Sequence, residues 1–257
     1  MTNNTLFDLS GKTAVVTGSS RGIGKAIAMR MADYGAKVMV SSRKIDACNL
    51  VVEEIKKSGS EAYACECNIS SKEALQNLCD VSLEKLGKID ILVLNAASNP
   101  YYGPLKNIPD EAFDKIMNNN VKSNLWMANM VLPHMETLGG GKVIVISSIA
   151  GITGSSVLGA YSISKTADLG LVRSLATEWG PKNITVNALC PGLIKTDFAR
   201  ALWEDPKVLS EIEANAPLRR IGIPDEVAGA AVLLASEAGA FITGQKIVMD
   251  GGVTITS

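Results

Sequence analysis

The stretch TAVVTGSSRGIGKAIAMRMADYG, residues 13–35, decides the fold class, because it reads as a buried strand, a tight turn and a helix in immediate succession. TAVVT (13–17) is a short aliphatic run, and the segment from Gly22 onward has the apolar spacing of a helix. Gly18, Gly22 and Gly24 allow a tight turn whose backbone N–H groups approach a phosphate closely. Their spacing, G-x-x-x-G-x-G, differs from the more common G-x-G-x-x-G dinucleotide fingerprint. The stretch therefore predicts a strand–turn–helix unit that binds the phosphates of a nucleotide.

The same alternation of short aliphatic runs and longer helical segments continues along the chain. The strand candidates are TAVVT (13–17), KVMVS (37–41), EAYAC (61–65), IDILVLN (89–95), KVIVIS (142–147), ITVNALC (184–190) and KIVMD (246–250). Continuous apolar strands between helices are typical of a parallel sheet that is covered on both faces. We therefore predict an α/β fold over residues 1–257, a single-domain Rossmann-type doubly wound sheet of about seven strands with helices on both faces.

The least regular region is 191–223, which follows a predicted strand and is rich in Pro, Gly and charged residues. Ligands of such sheets bind beyond the carboxyl ends of the strands. We therefore predict a substrate lid within 193–215; the alternative is a surface elaboration without a role in binding.

Composition excludes several classes of protein. Lys and Arg number 25 against 26 Asp and Glu, so no bulk field attracts nucleic acid or an anionic membrane. No apolar run approaches the roughly 18 residues of a membrane span, and the amino terminus lacks the pattern of a secretory signal. Five cysteines and the single histidine, His134, argue against a metal site and predict buried, reduced thiols in a cytoplasmic protein.

The end of the second predicted strand indicates which nucleotide binds. It reads Ser41-Ser42-Arg43, with no carboxylate before Asp46 to hold the ribose hydroxyls of NAD. A guanidinium binds a 2′-phosphate with paired hydrogen bonds, and Arg21 in the glycine turn adds a second positive charge. This pattern favours NADP(H) over NAD(H); the alternative is that both arginines are merely solvated.

A second constellation lies in GAYSISKTADLG (159–170), where Tyr161 and Lys165 are four residues apart and so share one face of a helix. The strand KVIVIS runs into Ser148, and Asn120 lies upstream in MNNNVKSN. Taken in order, TGSSRGIG, LNAAS, NNVKS, ISSIAG, Tyr-x-x-x-Lys and CPGLIKT resemble the short-chain dehydrogenase/reductase family over essentially the whole chain. Within that family, AASNPYYGP and CPGLIKTDFARALWEDP resemble NADPH-dependent carbonyl and retinal reductases and their bacterial relatives.

The resemblance implies a catalytic role for each of four residues. Tyr161 matches the catalytic acid/base, and Lys165 matches the lysine that lowers its pKa and holds the nicotinamide ribose. Ser148 matches the serine that orients the carbonyl, and Asn120 the asparagine that supports a water chain to the lysine. A free tyrosine has a pKa of about 10, so a nearby ammonium is needed for proton exchange at neutral pH.

The resemblance also implies a set of nucleotide contacts. They are Gly18, Ser20, Arg21, Gly22, Ile23, Gly24, Ser42, Arg43, Asn68, Ile69, Asn95, Ala96, Tyr161, Lys165, Pro191, Gly192, Ile194 and Thr196. Asn68-Ile69 stands where the family usually has Asp-Val, and Asn95-Ala96-Ala97 where it usually has Asn-Ala-Gly. Assembly as a homotetramer through the helices near 110–136 and 155–180 and the last strand is implied in the same way.

The predicted reaction is hydride transfer between NADP(H) and a carbonyl or secondary alcohol. Candidate pocket residues are mainly apolar or aromatic and favour a hydrophobic ketone or aldehyde; they are Asn99, Tyr101, Tyr102, the segment 153–158, Leu193, Phe198, Leu202 and Trp203. One alternative is a 3-oxoacyl-carrier-protein reductase, with Lys106, Lys122 and Arg173 as basic contacts for the carrier. The other is a nucleotide sensor without catalysis.

Overall fold

The computed structural model describes residues 5–256, which contain one seven-stranded sheet. The strands are β1 (Thr13–Thr17), β2 (Lys37–Ser42), β3 (Ala62–Glu66), β4 (Ile91–Leu94), β5 (Gly141–Ile146), β6 (Ile184–Pro191) and β7 (Lys246–Met249). They lie in the order β3-β2-β1-β4-β5-β6-β7, and every neighbouring pair is parallel. The predicted doubly wound fold is confirmed. The strand predicted at 89–95 is shorter, because the Asn95 N–H leaves the ladder and donates to the Thr17 hydroxyl at 3.0 Å.

Helices cover both faces of this sheet. They are α1 (Gly22–Asp33), α2 (Ile45–Lys57), α3 (Lys72–Leu86), α4 (Asp110–Met117), α5 (Ser123–Thr137), α6 (Gly159–Trp179), α7 (Arg200–Trp203), α8 (Pro206–Asn215) and α9 (Pro224–Ala235). Alternation along β1 divides the core: Ala14 and Val16 pack under α1, α2 and α9, whereas Val15 packs under α3, α5 and α6. Burial on both faces explains why the strands are continuously apolar.

The order of the strands places a crevice where the chain changes direction. β1 pairs with β2 on one side and with β4 on the other, so the connections run outward from this point in both directions. Because all strands are parallel, the residues that follow β1, β2, β4, β5 and β6 meet at one edge of the sheet. Ligands of open α/β sheets bind at this carboxyl edge.

Two segments differ from the regular helices or irregular loops that the sequence pattern indicates. Between α4 and α5 the chain forms a π-helical turn, Asn118–Lys122, which contains Asn120. Such turns are rare and occur frequently at functional sites. The segment predicted as an irregular lid contains the 3₁₀ turn Asp197–Ala199 followed by α7 and α8, so much of it is helical.

Within residues 5–256, no helix combines the length and the apolar character needed to cross a membrane. The five cysteines predicted to be buried are buried and unpaired.

The glycine turn brings α1 directly onto the ends of β1 and β4. Gly18 and Gly22 have φ angles of +65° and +58°, a conformation that favours glycine. A Cβ at Gly24 would overlap the Gly18 carbonyl oxygen and lie 2.5 Å from Asn95 Nδ2. Asn95 Nδ2 donates to the carbonyl oxygens of Thr17 and Gly18 at 2.9 and 3.0 Å, which fixes the turn against β4.

We expect Gly24→Ala to lower the free energy of unfolding by about 1–3 kcal/mol, because the added methyl group has backbone and a bonded amide in its way. The matched control is Gly229→Ala on α9, which is exposed and has nothing within 4 Å of the added Cβ. Because alanine has a higher helix propensity than glycine, the control substitution is expected to stabilise the fold by up to about 1 kcal/mol. Denaturant unfolding measures both, and equal effects of the two changes would contradict the close packing of the turn.

Candidate active site

The glycine turn presents an uncapped helix N-terminus at the carboxyl edge. Arg21 is the N-cap residue of α1, and its side chain makes no capping hydrogen bond. Ser19 holds the turn to the end of β2, since its N–H donates to the Ser41 carbonyl and its hydroxyl accepts from the Ser41 N–H, both at 2.9 Å. The first N–H groups of a helix lack partners within the helix and carry partial positive charge. The turn that contains Ser20, Ile23 and the three glycines therefore has the chemistry to hold a pyrophosphate.

The two arginines predicted to bind a 2′-phosphate have different surroundings. Arg43 follows β2, is exposed, and makes no hydrogen bond or ion pair with the part of the chain that the structure describes. Arg21 lies 3.6 Å from Asp197, the first residue of the 3₁₀ turn in the lid. Arg43 is therefore available to an anion, whereas Arg21 also links the glycine turn to the lid.

The other predicted nucleotide contacts line the same edge in three groups. Asn68 is exposed after β3, and its Oδ1 accepts from the Ser70 hydroxyl at 2.8 Å. Ala96 follows β4, and its N–H donates to the Thr17 hydroxyl at 3.1 Å, so it supports the glycine turn as well. Beyond β6, Gly192 lies too close to Asp250 for a side chain. Ile69 follows Asn68, and Pro191, Ile194 and Thr196 lie close to Gly192 along the chain, whereas Ser42 is the last residue of β2. Thr196 Cγ2 lies 3.4 Å from a Cβ placed at Gly22.

Ser148, Tyr161 and Lys165 converge where β5 meets α6. Ser148 follows β5, and its hydroxyl accepts from the Ala150 N–H at 3.1 Å, which orients the side chain. The Ser147 hydroxyl donates to the Lys165 carbonyl oxygen at 3.0 Å and so fastens α6 to the end of β5. Tyr161 lies in the first turn of α6, with Lys165 one turn further on and its Nζ 5.7 Å from the centre of the Tyr161 ring.

The Lys165 ammonium is buried, with only 2% of the side chain exposed. Its Nζ donates to the Ile146 carbonyl oxygen at 2.9 Å and to Asp168 Oδ2 at 3.0 Å. An ammonium has three N–H donors, so one remains for a ligand in the cleft.

Burial governs the proton equilibria at this site. Burial raises the pKa of Tyr161 above its ordinary value, although the Lys165 ammonium and the Ser148 hydroxyl lower it and Asp168 raises it further. Burial alone would lower the pKa of Lys165, but the negative charge of Asp168 and the neighbouring Tyr161 leave that pKa raised. The sequence predicts the lowering effect of Lys165 on Tyr161; it does not predict the opposing effects of burial and of Asp168.

Asn120 is fully buried and its side chain is committed to structural hydrogen bonds. Its Oδ1 accepts from the Ser98 N–H at 2.8 Å, and its Nδ2 donates to the Ser98 carbonyl and the Ser164 hydroxyl, both at 3.0 Å. The backbone carbonyl of Asn120 accepts from Asn124 Nδ2 at 2.6 Å. Asn120 therefore ties the loop after β4 to α6, and its link toward Lys165 passes through Asn124.

Sequence reasoning missed Asn124 and Asp168. Asn124 Nδ2 donates to Asp168 Oδ1 at 3.0 Å as well as to Asn120, so a continuous chain of hydrogen bonds joins Asn120 to Lys165. The sequence does contain a signal for Asp168. An aspartate three residues after Lys165 places a carboxylate beside the ammonium on one helix face. On a surface helix the same spacing is an ordinary solvated ion pair, so only burial distinguishes the two cases.

The segment predicted as a lid places an aromatic ring beside Tyr161. The ring of Phe198 lies 6.2 Å from that of Tyr161, with an angle of 41° between the ring planes. Trp203 Nε1 donates to the Thr196 carbonyl oxygen at 2.8 Å, so this candidate pocket residue also packs α7 onto the start of the lid.

Comparisons with known proteins cover nearly the whole chain. Residues 18–254 match a family model described as Enoyl-(Acyl carrier protein) reductase. The chain is 42% identical to Dehydrogenase/reductase SDR family member 4 of Bos taurus over 244 residues, which cover 95% of this chain and 88% of the relative.

Solved structures are similar along almost the full length. A 7α-hydroxysteroid dehydrogenase in complex with NADH and 7-oxo glycochenodeoxycholic acid is 39% identical, with a TM-score of 0.94 and 98% of each chain covered. A gluconate 5-dehydrogenase from Burkholderia cenocepacia in complex with NADP and tartrate is 30% identical, with a TM-score of 0.94, covering 98% of this chain and 99% of the other. The strand order, the glycine turn and these relatives agree: the chain belongs to the short-chain dehydrogenase/reductase family, enzymes that oxidise hydroxyl groups or reduce carbonyl groups.

Proposed function

We propose that this chain is an NADP(H)-dependent reductase of hydrophobic ketones or aldehydes, which also oxidises the corresponding secondary alcohols. The observation that carries the proposal is the meeting of Ser148, Tyr161 and Lys165 at the end of β5, on the same sheet edge as the glycine turn. Membership of an enzyme family favours catalysis over a nucleotide sensor.

The residues divide the chemistry between binding and proton transfer. When bound, the nicotinamide nucleotide supplies or accepts the hydride. In reduction, the Tyr161 hydroxyl gives its proton to the carbonyl oxygen, and the Ser148 hydroxyl donates a hydrogen bond to the same oxygen. Lys165 stabilises the resulting phenolate, and its remaining N–H is available to a ribose hydroxyl. In oxidation, the phenolate takes the proton of the alcohol.

The side chains around β2 support a preference for NADP(H). Arg43 is exposed, is free of protein partners among residues 5–256, and follows a strand that ends without a carboxylate. Solved relatives bind NADH in one case and NADP in another, so the family accommodates both nucleotides. A free guanidinium at this position favours the 2′-phosphate.

Exposed apolar side chains at the carboxyl edge of the sheet support an apolar substrate. Tyr102, Leu105, Ile152 and Phe198 expose 63%, 47%, 37% and 57% of their surface. These side chains stand on the loops after β4 and β5 and on the lid. A hydrophobic carbonyl compound would cover them, which is favourable in proportion to the apolar area removed from water.

An acyl thioester is the second candidate substrate, because the matching family model is described by acyl carrier protein. Of the basic residues predicted to contact a carrier, Lys122 places its Nζ 4.9 Å from the centre of the Trp126 ring. Turnover of acetoacetyl thioesters in preference to simple ketones would favour this candidate.

Two further expectations remain proposals. A homotetramer would cover the edge strand β7, where Val248 is 38% exposed, and the nearby Phe241, which is fully exposed. A cytoplasmic location is consistent with five buried, unpaired thiols.

We expect Tyr161→Phe to retain NADPH binding and to lose turnover by a factor of about 10² to 10⁴, since only the proton donor is removed. The matched control is Tyr34→Phe, a partly exposed tyrosine at the end of α1, which is expected to leave both unchanged. Steady-state rates and NADPH fluorescence titration measure the two properties. Full turnover by the Tyr161→Phe variant would refute the acid/base assignment.

Ser148→Ala is expected to reduce kcat by a factor of about 10² or more, because the hydrogen bond to the carbonyl oxygen strengthens as negative charge develops. Ser58→Ala, at the carboxyl end of α2, serves as the control and is expected to keep kcat, since its hydroxyl only donates to the Ile55 carbonyl oxygen at 2.8 Å and belongs to no predicted contact. Retention of full kcat by Ser148→Ala would show that Tyr161 alone holds the carbonyl.

Arg43→Asp is expected to lower the ratio of kcat/KM for NADPH to that for NADH by about tenfold or more, since a charge-assisted hydrogen bond contributes about 1.5–3 kcal/mol. The control is Lys57→Asp, which makes the same charge change at the far end of α2. An unchanged ratio in Arg43→Asp would mean that the 2′-phosphate is not held there.

A further inference from the structure

Asp168 is a completely buried carboxylate in contact with the proposed catalytic lysine. None of its side chain is exposed, and it lies on the inner face of α6, one turn beyond Lys165. Its Oδ2 accepts from Lys165 Nζ and its Oδ1 accepts from Asn124 Nδ2, each at 3.0 Å. Both oxygens act as acceptors, which is the arrangement of an ionised carboxylate.

Stability alone does not account for a buried ion pair. Taking both charges out of water is costly, and replacing such a pair by apolar side chains is often neutral or stabilising. Beyond Asp168 the buried positions of α6 are apolar, and they include Leu169 and Val172, so this part of the helix packs in an apolar core. A carboxylate here acts through its charge and its hydrogen bonds.

The partners of Asp168 restrict where Lys165 can be. The ammonium is held on one side by the Ile146 carbonyl at the end of β5 and on another by Asp168. Asp168 is itself held by Asn124, whose amide also bonds the Asn120 carbonyl in the π-helical turn. The position of the ammonium is therefore set by β5, α6, α5 and the π-helical turn, and its remaining N–H has a fixed direction.

We propose that Asp168 is a positioning residue that anchors Lys165 and sets the pH at which the Lys165–Tyr161 pair gives up its first proton. The inference rests on the proposed function of that pair. A negative charge beside two coupled groups increases the proton affinity of both, so its removal makes the pair lose its first proton at lower pH, whichever group releases it.

Few other groups near the pair titrate. From β6, Cys190 faces Lys165, and burial raises the pKa of this thiol, so it stays neutral near physiological pH. The groups that face the pair from β5 and its following loop are the Ile146 carbonyl and the Ser148 hydroxyl. From α5 and the π-helical turn, the Asn124 amide and the Asn120 backbone carbonyl lead to Asp168, and neither of them titrates. The charge of Asp168 is thus the main influence on the proton equilibria of the Lys165–Tyr161 pair that a substitution can remove.

The test compares Asp168→Asn and Asp168→Leu with the unchanged chain. The first variant removes the charge at constant shape, and the second is apolar and does not place an amide N–H group against Lys165. Asp90→Asn is the matched control, since this carboxylate accepts from the Thr13 N–H at 2.9 Å at the amino end of β1. Circular dichroism establishes that each variant is folded.

The first readout is the titration of Lys165 without nucleotide or substrate. Nitrogen-15 labelled lysine is followed by NMR against pH, and the Lys165 signal is assigned by its loss in Lys165→Arg. We expect its midpoint to fall by about one pH unit or more in both Asp168 variants and to stay constant in Asp90→Asn. An unchanged midpoint in both Asp168 variants would overturn the proposal.

The second readout is the pH profile of kcat/KM with NADP⁺ and a secondary alcohol. The limb that rises with pH is expected to move to lower pH by the same amount, whereas a merely structural role would reduce the rate without moving it. A profile that does not move, or that moves equally in Asp90→Asn, would overturn the inference. A chain that oxidises no alcohol and reduces no carbonyl counts against the proposed function instead, and the NMR titration then decides the role of Asp168 alone.

Discussion

The site depends on keeping a charged lysine inside the protein. Removing an ammonium from water costs on the order of several kcal/mol unless hydrogen bonds and an opposite charge replace the lost hydration. Lys165 receives both, from the Ile146 carbonyl and from Asp168. These partners belong to the sheet and to α6, so the ammonium is positioned only once the helix has docked on the strand. The proton transfer proposed for Tyr161 therefore depends on the packed fold.

The parallel sheet supplies the second constraint. Because its strands run in one direction, the glycine turn after β1 and Ser148 after β5 open on the same edge, although they are far apart in sequence. Asn95 connects β1 to β4 at this edge, since its amide holds the end of β1 while its backbone directly follows β4. The groups proposed for nucleotide binding and for proton transfer therefore lie on one edge of the sheet, and the segment predicted as a lid approaches that edge through Asp197 and Phe198.

Polar residues inside the molecule connect these two regions. The Asn120 side chain bonds the loop after β4 and the Ser164 hydroxyl on α6, and its carbonyl leads through Asn124 to Asp168. A buried network of this kind is favourable only when its members are satisfied, and it then holds a single arrangement of the chain. The π-helical turn directs Asn120 into this network, which a continuous helix from 110 to 137 would not do in the same register.

The sequence alone determined the alternation of strands and helices, the glycine turn, and the pairing of Tyr161 with Lys165 on one helix face, because these features depend on local spacing and on hydrophobic pattern. The absence of a carboxylate between the start of β2 and Asp46 likewise followed from reading the chain in order. Only the tertiary structure decided that Asp168 is buried against Lys165, that Asn120 reaches it through Asn124, and that Arg21 is shared with Asp197 of the lid. The Lys165–Asp168 pair is local in sequence, but its burial and the contacts of Asn124 with Asp168 and of Arg21 with Asp197 depend on how distant segments pack. The same residue types at the same spacing would form a solvated ion pair on an exposed helix. Burial, which no short pattern specifies for a polar residue, separates the two outcomes.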